Sequence, residues 1–110
     1  MKIEDIKKEL EASGGKIYQV DIEIQEDDDN TIEKVYFFKK PGTASYDRYL
    51  KTSSASNSKA LKTFAEDNVC DQQTEELHKD FEEYPALSIT IGEKLLSMLG
   101  LGKTTTVKKL

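Results

Sequence analysis

Few residues in this chain have chemistry to offer, and they are scattered. There is one cysteine, Cys70, one histidine, His78, and a large supply of carboxylates. Cys70, Glu75, His78 and Glu82 fall at helical or near-helical separations, which a metal site or a Cys–His nucleophile pair could use. A cysteine near a helix N-terminus also gains thiolate character from the amide dipoles. The plainer readings are an imidazole at the margin of the Leu77/Phe81 stripe with a solvated tip, and a small buried apolar residue at Cys70. The acidic run Glu26-Asp27-Asp28-Asp29-Asn30 has the composition of a calcium loop. It lacks the glycine and the closing glutamate that such a loop requires, and so reads as a charged hairpin turn. Gly102-Lys103-Thr104 ends like a phosphate-binding loop, but Ser97 stands where the first glycine belongs and the preceding element is helical. The pairs Glu75/Glu76 and Glu82/Glu83 read as the solvent face of a helix, because acid–base work needs carboxylates facing each other across a cleft. No catalytic, cofactor-binding or metal-binding residue is assigned, and the chain is not expected to be an enzyme.

The elements that would position any site follow from periodicity. Ile3, Ile6 and Leu10 form a helical stripe over residues 3–12, which Ser13-Gly14-Gly15 stops. Tyr18, Val20, Ile22 and Ile24 alternate with polar residues, as in a strand with one buried face. Across the polar turn Gln25–Thr31 the β-favouring run Ile32–Lys40 resumes, so residues 17–40 predict a β-hairpin that Pro41-Gly42 ends. A helix over Ser45–Lys51, a serine-rich loop at 53–58, a helix over 58–69, a helix capped by Asp71 that presents Leu77, Phe81 and Tyr84, and a last helix from Leu87 to Leu99 closed by Gly100 complete the chain. The expected fold is α+β: a small single domain over residues 1–102, with an N-terminal helix and a β-hairpin at about 17–40 packed against three to four short α-helices at about 45–100. Residues 103–110 are expected to form a flexible tail.

Composition narrows the partners. The 110 residues carry a formal charge of −5 with 34% charged side chains, a balance that disfavours nucleic acid and anionic membranes. Arg48, Lys51 and Lys59 make a local basic surplus too small for the many-contact neutralisation of a phosphate backbone. A lone cysteine and the lack of an apolar signal segment predict a reducing cytoplasm, and the apolar region Leu87–Leu101 is too short to span a bilayer. Projected at about 100° per residue, the apolar positions of the last helix cover roughly 200° of arc, wider than one core contact needs. That width fits either a central helix covered on two sides or an exposed partner-binding face.

A different kind of signal lies in the order of the apolar segments. Phe37–Pro41 is an aromatic strand ending in Lys-Lys-Pro, Tyr46–Leu50 has the form Tyr-x-x-Tyr-Leu, Tyr84-Pro85 is a junction, and Leu95–Gly100 is a leucine-rich end closed by glycine. In this order and spacing the chain resembles, over about residues 32–101, the tail assembly chaperone-like family of tailed bacteriophages and prophages. The resemblance implies a small non-enzymatic protein without cofactors. It implies binding to the tape measure protein, help in recruiting tail tube subunits, residence in the cytoplasm of the bacterial host and absence from the mature virion. On that reading Tyr84, Leu87, Leu95, Leu96 and Leu99 are the expected surface for the tape measure protein or for self-association, and the hairpin edge is a second means of holding a chain. The alternative is a small regulatory or inhibitory interaction protein of a mobile element, its acidic surface mimicking nucleic acid. A small enzyme would need a deep cleft collecting His78, Cys70 and distant acids.

Overall fold

The computed structural model describes residues 2–101 and 106–110. Its elements run α1 (Ile3–Ala12), β1 (Ile17–Gln25), β2 (Thr31–Lys39), α2 (Thr43–Ser53), α3 (Asn57–Asn68), a single 3₁₀ turn (Asp71–Gln73), α4 (Thr74–Glu83) and α5 (Leu87–Ser97). The expected α+β domain, with a leading helix and a hairpin against short helices, is the fold observed. Asp71 opens the 3₁₀ turn instead of capping α4, and Ser56 is the residue that caps α3, its Oγ accepting from the Lys59 amide. α5 ends at Ser97, before the expected Leu99. Gly100 then takes a φ of +108°, open to glycine at little cost, and the chain turns away there. The expected tail begins within residues 102–105, which lie outside the described residues, and Thr106–Leu110 form no regular element.

β1 and β2 pair antiparallel in unbroken register, from Ile17 opposite Lys39 to Gln25 opposite Thr31. Asp27 shapes the turn: its Oδ1 accepts from the amides of Asp29 and Asn30, both at 2.9 Å, and its Oδ2 accepts from Asn30 Nδ2 at 2.8 Å. These bonds, led by that of the Asn30 side chain, hold the Asp27 carboxyl below the usual carboxylate range. The acidic run is thus a hairpin turn organised by its own side chains.

β2 is the centre of the molecule. Tyr36, Phe37 and Phe38 are consecutive and all buried, so this end of the strand is covered on both faces. Tyr36 and Phe38 enter the main core with Leu61, Phe64, Leu77, Phe81, Ile91 and Leu95, while Phe37 packs on the opposite face against Ile6, Leu10 and Cys70. A continuous apolar run is the pattern of a doubly covered strand, whereas β1 alternates from Val20 to Ile24 with one half-buried face, and Tyr18 is exposed. Each fully buried aromatic of this kind contributes on the order of 2–3 kcal/mol.

The outer edge of β2 is closed. The Phe37 N–H donates to Gln73 Oε1 at 2.7 Å, Gln73 Nε2 donates to the Val35 carbonyl at 2.9 Å, and the Cys70 N–H donates to the Phe37 carbonyl at 2.9 Å. One wholly buried side-chain amide therefore takes the place of a third strand. On the inner face Asp80, 6% exposed, accepts from the Tyr36 hydroxyl at 2.5 Å and lies 3.5 Å from Lys34 Nζ, fastening α4 to the hairpin. α5 lies against α3 so closely that a Cβ on Gly92 would sit 2.9 Å from Cβ and Cδ2 of Leu61.

Two substitutions test these contacts by urea unfolding. Gly92→Val forces side-chain atoms into Leu61 and is expected to cost about 1–3 kcal/mol, the range for overpacking a tight contact. Gln73→Met keeps the volume but leaves the Phe37 N–H and the Val35 carbonyl without partners, with an expected loss of about 2–3 kcal/mol.

Candidate partner-binding groove

The five residues expected to meet a partner part into two groups. Leu87, Leu95 and Leu96 are buried, at 6%, 0% and 6% exposure, and belong to the main core, while Tyr84 and Leu99 are half-buried at its margin. α5 packs along α3, touches α4 and shares the main core with Tyr36 and Phe38 of β2, which accounts for its wide apolar arc. Of the two readings of that arc, the central helix is the one observed, and Ile89 is the large apolar side chain α5 leaves exposed. A charge at Leu96 would enter the core and report on folding.

What α5 does offer is a wall. Thr90, Glu93, Lys94 and Ser97 recur at helical spacing along its outer side and face β1 across a cleft of about 370 Å³, whose other wall is Gln19–Ile22. At Ile22 and Thr90 this cleft meets a second hollow of about 450 Å³, bounded by Glu23–Gln25 and by Glu83–Leu87. Together they follow β1 along most of its length. Val20, Ile22, Ile24 and Ile91 supply apolar lining, and Asp21, Glu23, Glu83 and Glu93 supply charge against Lys94, the one cation in the lining among the described residues. Among the described residues none of these four acids pairs with a lysine or arginine.

At the far end of the groove the Tyr84 hydroxyl donates to Glu26 Oε1, tying the start of the hairpin turn to the α4–α5 junction. That bond is the first cause raising the Tyr84 pKa to about 12. Burial and the neighbouring Asp80 raise that of Tyr36 still further.

The groups singled out for chemistry stand apart from this groove. His78 lies 3.5 Å from Glu66 and 3.4 Å from Glu82 on an exposed face, and among the described residues no cluster of three or more His, Cys, Asp or Glu is arranged to hold a metal ion. Cys70 is 2% exposed, and burial pushes its thiol pKa up, opposite to the helix-dipole expectation. The reason is structural: Cys70 sits in extended backbone before a short 3₁₀ turn, under Phe37. Arg48, from the basic surplus, is paired to Asp67 at 2.8 Å and joins α2 to α3 beside the stacked Tyr46 and Tyr49 rings. The groove itself was only half visible in the sequence: the hairpin edge could be inferred, but which edge stays open depends on Gln73, far from it along the chain.

Fold and groove together define a small α+β domain with an open-edged hairpin. Over residues 7–108 the chain matches the family described as a domain of unknown function (DUF6848), and it belongs to that family. Among solved structures it is similar to the uncharacterised protein rbstp2171 from Bacillus stearothermophilus, with 25% identity and a TM-score of 0.77, over 93% of this chain and 99% of that one. Comparison with functionally curated proteins gives no match. Among the described residues no helix is long and apolar enough to cross a membrane.

The Tyr84–Glu26 bond has a pH signature. A pKa raised above the ordinary value of 10.0 means that the folded state favours the protonated phenol. Its stabilising contribution is complete below about pH 10 and fades as the pH rises through about 12. In an ultraviolet tyrosinate titration of the folded protein, Tyr84→Phe is expected to remove a late-ionising step, and Glu26→Gln to move that step to lower pH.

Proposed function

We propose that the chain is a non-enzymatic tail assembly chaperone of a tailed bacteriophage or prophage. It holds the tape measure protein in the cytoplasm of the bacterial host while tail tube subunits are recruited, and it leaves before the virion is complete. The order of aromatic strand, Lys39-Lys40-Pro41, Tyr46/Tyr49 helix, Tyr84-Pro85 junction and leucine-rich end supports this reading through the family it resembles. The physical observation that carries it is the open β1 edge beside a groove with apolar lining and acids that, among the described residues, pair with no lysine or arginine, a surface suited to holding another polypeptide. The chemically able side chains are occupied otherwise: Cys70 is buried under Phe37, and His78 lies between two carboxylates on a separate face.

Co-expression provides the test. The tagged full chain, produced with the tape measure reading frame of the same tail gene cluster, is expected to carry the tape measure protein into the soluble fraction and to co-purify with it in a defined ratio. A tape measure protein equally insoluble with and without the chain would overturn the proposal.

A further inference from the structure

A two-stranded hairpin has two outer edges, and here they differ. Phe37 and Val35 turn their backbone polar groups away from β1, toward Cys70 and Gln73. In an antiparallel ladder the residues opposite an outward-facing pair member also face outward. Gln19 lies opposite Phe37 and Asp21 opposite Val35, so the N–H and C=O groups of Gln19, Asp21 and Glu23 point out from the free side of β1. Among the described residues no backbone group outside the hairpin bonds to them.

Natural edge strands avoid unwanted pairing by being short, by bulging, or by carrying proline or lysine. β1 has none of these devices: it is nine residues long, in unbroken register, and contains neither residue. Its one restriction is charge. Asp21 and Glu23 flank the edge on the solvent face, Glu93 of α5 lines the same cleft as Asp21, and among the described residues the one side-chain bond to Asp21 is a 2.8 Å contact from the exposed Gln19 amide. An edge so marked rejects an acidic strand and favours a basic one.

Pairing with its own copy is disfavoured in the symmetric register centred on Asp21, which would set Asp21 against Asp21 and each Glu23 against Gln19, with no cation within β1 to offset the acids. A new strand about 4.8 Å from β1 would instead lie over the groove, with one set of side chains beside Asp21 and Glu23 and the alternate set against Thr90, Lys94 and Ser97 of α5.

We propose that the free edge of β1 binds an extended segment of a partner protein by strand addition. That segment carries lysine or arginine at the alternate positions beside Asp21 and Glu23, and small or apolar residues at the positions facing α5. The proposal rests on the reading of the chain as a holder of another protein and adds to it the place, the mode and the chemistry of the contact.

The test uses the ¹⁵N-labelled full chain and a capped peptide, Lys-Val-Lys-Thr-Lys-Val-Lys, with a twin in which glutamate replaces every lysine. The basic peptide is expected to shift and slow the exchange of the Gln19, Asp21 and Glu23 amides saturably, and to weaken as salt is raised. The acidic twin is expected to bind at least tenfold more weakly, as is the basic peptide on Asp21→Lys. Asp21→Pro removes one outward N–H without touching the β1–β2 ladder and is expected to abolish the protection. Should that variant fail to fold, Asp21→Lys carries the test alone. Equal binding of the two peptides, unchanged affinity on Asp21→Lys, or protection confined to other amides would overturn the proposal. In the co-expression assay Asp21→Lys is expected to lose the tape measure protein. Full capture by that variant would refute this surface and leave the chaperone function standing, whereas edge-specific binding of the basic peptide without any capture by the wild-type chain would support the surface and refute that function.

Discussion

The clasp of Gln73 on the outer edge of β2 is the interaction on which the rest of the structure depends. A hairpin alone is marginal in water. This one is made durable by burying β2 on both faces, and a strand buried on both faces cannot leave its outward amides unpaired. Gln73 supplies one acceptor and one donor at the spacing of a neighbouring strand, and Cys70 supplies the next donor. With that edge closed, Phe37 can sit under α1 while Tyr36 and Phe38 enter the helical core. Asp80 then registers α4 against the same strand through Tyr36 and Lys34.

Closing one edge leaves the molecule asymmetric. β1 keeps a single buried face and an unpaired edge, and α5, drawn against α3 at Gly92, forms the wall beyond that edge. The acids gathered there have no cationic partners among the described residues, so the net negative charge of the chain becomes a local preference at the open strand. For a protein proposed to hold a long, aggregation-prone chain, such a surface gives main-chain affinity with little demand on sequence, while the charge pattern screens the occupants.

The elements legible in advance were those with strong local patterns. The Ile6/Leu10 stripe, the alternation from Val20 to Ile24, the break at Pro41-Gly42 and the Pro85 interruption each report a local steric or burial rule and lie where expected, whereas Tyr18, expected on the covered face of β1, is exposed. Less legible was the role of α5. An apolar arc that wide is equally the mark of a central helix and of a binding face, because hydrophobicity records that a surface avoids water and not what covers it. Leu87, Leu95 and Leu96 are buried in this chain's own core, with Leu61, Phe64, Tyr36 and Phe38. Cys70 misleads in the same way: helical spacing placed it near a helix start, while extended backbone beneath Phe37 decides its chemistry.

By itself the sequence determined the α+β class, the hairpin and its turn, the order of the helices and the acidic balance, since these rest on interactions between residues close along the chain. Only the tertiary structure decided which hairpin edge is closed, which leucines are core and where the acids of the groove gather. Those outcomes rest on long-range placements such as Gln73 against Phe37, Gly92 against Leu61 and α5 across a cleft from β1. Residues separated by thirty or more positions meet there only after the chain has folded, and no periodicity within a segment records the meeting.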